Sequence, residues 1–355
     1  MSAGADPVDA ARPLVDAEAL SGYLDDKVPG EGPFEVERHR AGHSNETFFV
    51  RRSGHEWVLR RPPRGAFLPT AHDVLREHRV LSAVADTSVR APRTILACEN
   101  ESVIGVTFYL MERVEGSVPR TALPPNLDTE EERGRIGEDL IDALAEIHAV
   151  DWRAAGLEGW GRPTGYLERQ VRRWSGQLAL ATQLTRPLPD LVRTAEWLAE
   201  RVPESPPSTI VHGDYKLDNV TLAPDPPARV AAILDWEMST IGDPLADLGY
   251  LLSFWREPGD PEDAVLAEEI ELTRAPGFPS RAEMVARYRE RTGRETGDLT
   301  WYVVLAFWKL AILLEGSYAR HLAGATDDAF FAELEEGVPA LARRALDVAA
   351  RGAGV

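Results

Sequence analysis

Residues 211–220 read Val211-His212-Gly213-Asp214-Tyr215-Lys216-Leu217-Asp218-Asn219-Val220. Apolar residues lead in through Ile210 and Val211, polar residues fill the middle, and apolar residues lead out through Val220 and Leu222. That alternation predicts a polar loop pinned between two short buried strands, an arrangement in which rigid elements hold loop side chains in place. His212 alone reads as a satisfied core histidine. Downstream, the apolar run Ala232-Ile233-Leu234 ends on Asp235, followed by Trp236-Glu237. A buried strand there delivers a carboxylate, the ligand type that a hard cation prefers. Next comes Gly242-Asp243-Pro244-Leu245-Ala246-Asp247-Leu248-Gly249. Asp before Pro is a helix N-cap followed by proline in the first turn, and Asp247 stands one turn further on.

The flanking sequence divides in two. Residues 34–40, 47–52 and 57–61 read as strands, with a hairpin turn at Ser53-Gly54 between the last two. A helical pattern follows over 72–84, then strands over 93–97 and 107–114. Beyond Gly116 and the proline-containing stretch 118–125 the chain reads as mainly helical: 128–150, 165–184, 191–201, 245–254, 281–292, 301–321 and 328–350, with short strands at 209–211, 220–222 and 230–234. The expected organisation is a loose tail (1–14), a small β-rich lobe (15–113) and a larger α-rich lobe (114–355).

The spacing H-x-D-x-K-x-x-N over His212 to Asn219 matches the catalytic loop of kinases. The whole run from His212 to Gly249 resembles the aminoglycoside-phosphotransferase family. It is most similar to the kinase-like domain fused to acyl-CoA dehydrogenases and its free-standing bacterial relatives. The resemblance extends over residues 35–321. It implies an α+β, protein-kinase-like fold of two lobes and transfer of the ATP γ-phosphoryl group to a hydroxyl of a small molecule. It also implies roles: Asp214 as the base, Lys216 near the transferred phosphoryl, Asn219 and Asp235 as magnesium ligands, and Asp243 and Asp247 as architectural residues. ATP and magnesium are the cofactors expected.

In the small lobe, Gly42, Ser44 and Asn45 lie in a stretch similar to the family's G-x-S-N-x-T nucleotide loop, where small residues and backbone N–H groups can approach phosphate oxygens. A plain hairpin turn is the alternative. Strand alternation puts Val58 and Arg60 on one face, and the resemblance gives Val58 the adenine and Arg60 the phosphates, with Glu77 as the ion-pair partner of Arg60. Most of the wider family has Lys where this chain has Arg60, and the planar fork of Arg is no equivalent of a compact ammonium. The main chain of Glu112 to Val114 is expected to meet adenine; Met111 reads as core. In the large lobe Arg169, Arg172 and Arg173 share one helix face by their spacing, near Arg162 and Tyr166. A solvated basic face is one reading; a contact for an anionic acceptor such as a hydroxyacyl-CoA thioester is the other.

Composition narrows the remaining classes. The formal charge of −19 argues against nucleic acid or an anionic membrane as partner. Cys98 is the single cysteine, so an intramolecular disulfide or a Cys-rich metal site is excluded. The start of the chain lacks a basic and then apolar leader, and the longest apolar run, 301–314, is interrupted by Lys309. A cytoplasmic location and a small-molecule substrate are expected. An aminoglycoside or amino-alcohol kinase remains an alternative, as does a nucleotide-binding regulatory pseudokinase. A metal-dependent hydrolase is disfavoured by the lack of clustered histidines.

Overall fold

The computed structural model describes residues 13–39, 45–63, 73–261, 271–324 and 330–354. By its internal contacts the chain forms two compact units, one ending at Val114 and the other comprising residues 86–90 and everything from Glu115 onward.

The N-terminal unit is a five-stranded antiparallel sheet in the order β1-β2-β3-β5-β4, built from Glu35–His39, Glu46–Arg52, His55–Arg61, Thr94–Cys98 (β4) and Phe108–Glu112 (β5). The β2–β3 hairpin closes through Ser53 (φ 50°) and Gly54 (φ 79°), both left-handed, with Arg52 opposite His55. Two such residues make the primed turn whose twist matches that of paired strands. Alternate residues Trp57 and Leu59 join Val50, Phe108 and Leu110 in a core that α1 (Ala17–Leu24) completes with Leu20 and Leu24. The intervening Val58 and Arg60 therefore occupy the opposite face. Helix α2 (Val74–Val84), capped by the Asp73 carboxylate, packs against β4 and β5.

The C-terminal unit contains α3 (Glu130–Ala149), α4 (Tyr166–Leu184), α5 (Pro189–Glu200), α6 (Leu245–Phe254), α7 (Arg281–Thr292), α8 (Thr300–Leu322) and α9 (Phe330–Arg351). Helix α5 starts two residues before the expected Leu191, because Pro189 suits the first helical turn, where its missing N–H costs nothing. Two short ladders interrupt the helices: β6 (Thr209–Val211) with β9 (Thr240–Gly242), and β7 (Val220–Leu222) with β8 (Val230–Ile233). Strand β9 is not foreshadowed by any local pattern; its three residues exist as a strand only because Val211 pairs with Thr240 and Thr209 with Gly242.

Helix α8 organises this unit, packing on α4, α5, α6 and α9. By length and composition it could cross a membrane, yet 72% of its most apolar stretch is buried in this structure. The indoles of Trp301 and Trp308 donate to the carbonyls of Leu198 (3.0 Å) and Leu191 (2.9 Å), so these large rings bury their N–H groups at no loss of a partner. Residues 86–90 are strapped to the same unit by Arg90, which pairs with Asp139 and Glu146 and whose carbonyl accepts from Ile233 N–H at 2.7 Å.

Candidate active site

The loop after β6 is held from behind by a buried carboxylate. Asp247, on α6, accepts from the backbone N–H of His212 (2.6 Å) and of Gly213 (2.8 Å). The same carboxylate meets His148 Nε2 at 3.3 Å, and His148 Nδ1 lies 2.8 Å from the Tyr288 hydroxyl. A chain of polar groups thus runs from α7 through α3 and α6 to the loop, each member satisfied, as a buried network must be. His212 is fully buried. Its Nε2–H donates to Leu234 O at 2.8 Å and its Nδ1 accepts from Asp214 N–H at 3.3 Å, which defines the tautomer. The imidazole therefore ties the loop to the end of β8 and serves as a buttress.

Gly213 is required at its position. Its φ is 87°, and a Cβ there would stand 2.7 Å from Met238 O. Beyond it, Asp214 and Asn219 meet: Asn219 Nδ2 donates to the Asp214 carboxylate (2.7 Å) and to its main-chain carbonyl (2.8 Å). Leu234 N–H donates to Asn219 O at 2.8 Å, which brings Asp235 beside Asn219. Asp235 itself sits at φ 62°, ψ 62°. A non-glycine residue in this left-handed region carries backbone strain, and such strain gathers at functional sites. Lys216 Nζ pairs with Asp218 at 2.8 Å and lies 5.0 Å from the centre of the Phe254 ring.

Asp243 accepts from Leu245 N–H (2.9 Å) and from the Tyr302 hydroxyl (2.9 Å). Burial pushes its carboxyl above the usual range, against the hydrogen bonds from Ser205, Leu245 and Tyr302 that favour the charged form. Asp243 thus caps the start of α6 through the Leu245 N–H, with Pro244 between them, and pins α8 to α6 through Tyr302.

Two further residues crowd Asp214 that the sequence motifs do not single out. Burial, followed by the nearby Asp214 charge, drives the Tyr250 pKa well up. Lys309, from the middle of α8, donates to Gly213 O and lies 4.6 Å from the centre of the Tyr250 ring. The one sequence signal for Lys309 is its interruption of an apolar run; Tyr250 carries none.

Of the basic residues, Arg169 turns back to the carbonyls of Arg162 (2.5 Å) and Thr164, stitching the loop before α4. Arg172 and Arg173 are exposed. Arg173 is followed by Trp174, whose ring centre is 5.8 Å from Lys309 Nζ. Helix α4 therefore flanks the Asp214 loop.

In the N-terminal unit, Arg60 and Glu77 pair as anticipated: Nε and Nη2 each lie 3.3 Å from a carboxylate oxygen, and Nη1 is 3.4 Å from Thr47 Oγ1. Glu77 is buried at 2% exposure, so the guanidinium supplies it with a counter-charge. Val58 is buried opposite Met111, Asn45 is buried at the entrance to β2, and Glu112 ends β5 with its N–H on Arg93 O, two residues before the half-buried Val114. Gly42 and Ser44 lie outside the described residues.

The sequence profile of the APH phosphotransferase enzyme family matches residues 35–284. Acyl-CoA dehydrogenase family member 11 of Rattus norvegicus is 35% identical over 325 residues, covering 89% of this chain and 41% of that protein. The chain thus spans about two-fifths of this relative's length. A solved structure from Ralstonia eutropha, provisionally described as an aminoglycoside phosphotransferase, is 34% identical with a TM-score of 0.79 over 95% of this chain and 99% of the other. The GDP and kanamycin complex of APH(2″)-IIIa shares the fold, with 15% identity, a TM-score of 0.58 and coverage of 92% and 98%. The small sheet-based unit, the helical unit and the loop that carries Asp214 agree with these likenesses: the chain belongs to the APH phosphotransferase enzyme family and is a small-molecule kinase.

Proposed function

We propose that this kinase moves the γ-phosphoryl group of ATP to a hydroxyl of an anionic, hydroxyacyl-CoA-like metabolite, with Asp214 as the base. The observation that carries the reading is the double hydrogen bond from Asn219 to Asp214, at 2.7 and 2.8 Å, beside a strained Asp235. The Asn219 amide nitrogen orients the Asp214 carboxylate. Asp214 accepts the acceptor's hydroxyl proton as the new P–O bond forms and the bond between the β and γ phosphates breaks, releasing ADP.

The donor set fits magnesium. With its nitrogen committed to Asp214, Asn219 has Oδ1 for a cation, and Asp235 adds a carboxylate from the adjoining strand end. Among the described residues no group of three or more His, Cys, Asp or Glu forms an all-protein cage. Magnesium needs none, since it takes one or two side-chain ligands and completes its shell with water and phosphate oxygen. When bound, it supplies neutralisation of phosphate charge. Arg60, steadied by Glu77, is the residue assigned to the nucleotide's phosphates, and Val58 to the adenine.

Two features support an anionic acceptor: the relative's name, which places it in an acyl-CoA dehydrogenase family, and exposed Arg172 and Arg173 on the helix that flanks the loop. Guanidinium forks bind phosphate oxygens bidentately. The overall charge of −19 favours a cation instead, but it is screened over about 8–10 Å at physiological salt, whereas a local arginine acts at contact. An aminoglycoside kinase is the second reading, favoured by the kanamycin complex of the fold relative. ATP consumption with a 4-hydroxyacyl-CoA and with kanamycin, run side by side, decides between them. Turnover of the thioester is expected; turnover of kanamycin alone rejects the first reading.

A further inference from the structure

Lys309 is a charged residue in the middle of the long apolar helix α8, and only 8% of it is exposed. Burying an ammonium is costly unless a partner repays it. Its partners here are not a direct ion pair but the Gly213 carbonyl and two aromatic rings, Tyr250 at 4.6 Å and Trp174 at 5.8 Å. These three contacts come from the Asp214 loop, from α6 and from α4. Gly213 is the residue just before Asp214, and the Tyr250 hydroxyl feels the Asp214 charge. The ammonium thus holds the main chain just before Asp214 and the ring of a neighbour that feels its charge. A residue that served packing alone would be apolar here, like Leu310 or Ala311 beside it.

We propose that Lys309 is a positioning residue for Asp214: its ammonium grips the Gly213 carbonyl and the Tyr250 ring, and so fixes the carboxylate towards the acceptor hydroxyl. The proposal rests on the reading of Asp214 as the base. Asp214 and Asp247 are the negative charges that face Lys309, Arg173 and Lys216 the positive ones, and Tyr250 stays neutral. Burial, the dominant cause, brings the Lys309 pKa down to about 8, with Asp214 and Asp247 pulling it back up. The ammonium is therefore complete below that pH and lost as pH rises through it.

The test compares wild type with K309M, K309R, Y250F and D214N. Turnover of Mg-ATP is followed with 4-hydroxypentanoyl-CoA and, in parallel, without acceptor, together with melting temperature and pH profile. K309M is expected to lose turnover by about 10²-fold, the effect of misplacing a reacting group by about 1 Å, with the Michaelis constant for Mg-ATP within about twofold of wild type and a melting temperature no lower. K309R should recover most of the turnover and shift the alkaline limb of the profile upward; Y250F should lose turnover in the same sense as K309M. Wild-type turnover in K309M overturns the proposal, and so does a loss of melting temperature in K309M and K309R that parallels their loss of activity. D214N separates the two readings. If it turns over like wild type, the assignment of the base falls; if it is inactive while K309M is fully active, the role of Lys309 alone falls.

Discussion

Asp235 shows how much one residue can be asked to bear. It stands in a left-handed conformation that most side chains avoid, at the end of a buried strand, next to Asn219. Aspartate tolerates this region better than most residues, and the carboxylate is what the chemistry needs there. Asp235→Ala is expected to weaken Mg-ATP binding by at least about tenfold, the lower end of what metal sites lose when even a supporting residue is removed. Calorimetric titration with Mg-ATP measures it, and unchanged affinity would make Asp235 structural. Asp214, Asn219 and Asp235 are legible in the sequence because they fall within 22 residues, on a loop and two strands whose apolar flanks announce them. Tyr250 and Lys309 are not: the helical pattern of each segment gives a face, and a face does not say which loop it will meet.

The pairing of β3 with α2 carries the next test. Arg60 supplies counter-charge to Glu77 across this contact, and both side chains are largely buried. Arg60→Ala should therefore do two things. It should raise the Michaelis constant for ATP or lower turnover, and it should destabilise the fold by about 3 kcal/mol, the cost of breaking a buried ion pair by removing one partner. Arg60→Lys should keep activity, because most of the family that the sequence resembles carries Lys at this place. Nucleotide titration alongside urea unfolding separates the two effects; an alanine variant with wild-type ATP kinetics removes Arg60 from the nucleotide site. Helix α8 gives a purely structural counterpart. Trp308 is fully buried and its indole donates to Leu191 O, so Trp308→Ala should cost about 3–5 kcal/mol, read from the same unfolding curves. The strand order of the N-terminal sheet is visible in the sequence only in part. Alternation and the Ser53-Gly54 turn reveal β2 and β3 as a hairpin, but the insertion of β5 between β3 and β4 depends on pairings between residues far apart in the chain, such as Leu59 with Leu110.

At the level of the whole molecule the buried charge on α8 has a cost that pH can expose. Folding lowers the Lys309 pKa from 10.5 to about 8. Between those values the unfolded chain holds a proton that the folded chain has released, so stability rises with pH across that window and the penalty is fully present below it. Wild type should thus gain stability relative to K309M as pH increases from about 8 to 10.5. Denaturant melts of both proteins across that range check it; parallel curves would mean that the lysine is solvated. The function proposed for Lys309 and this penalty are one fact seen twice, since a charge that is costly to bury is retained where activity needs it.

The sequence alone determined the two-part organisation, the loop that carries Asp214 and Asn219, the strand that leads to Asp235, and the family to which these point. Each is written in local order: apolar runs, turn residues and short spacings act within one or two elements. The tertiary structure alone decided that His148 and Tyr288 stand behind Asp247, that β9 exists, and that Lys309 reaches Gly213 from 96 positions away in the chain. The first arises from how α3 packs on α7, the second from the pairing of β6 with β9, and the third from how α8 packs among four other helices; the energy that selects such packing is spread over many buried side chains. No single stretch of sequence records it.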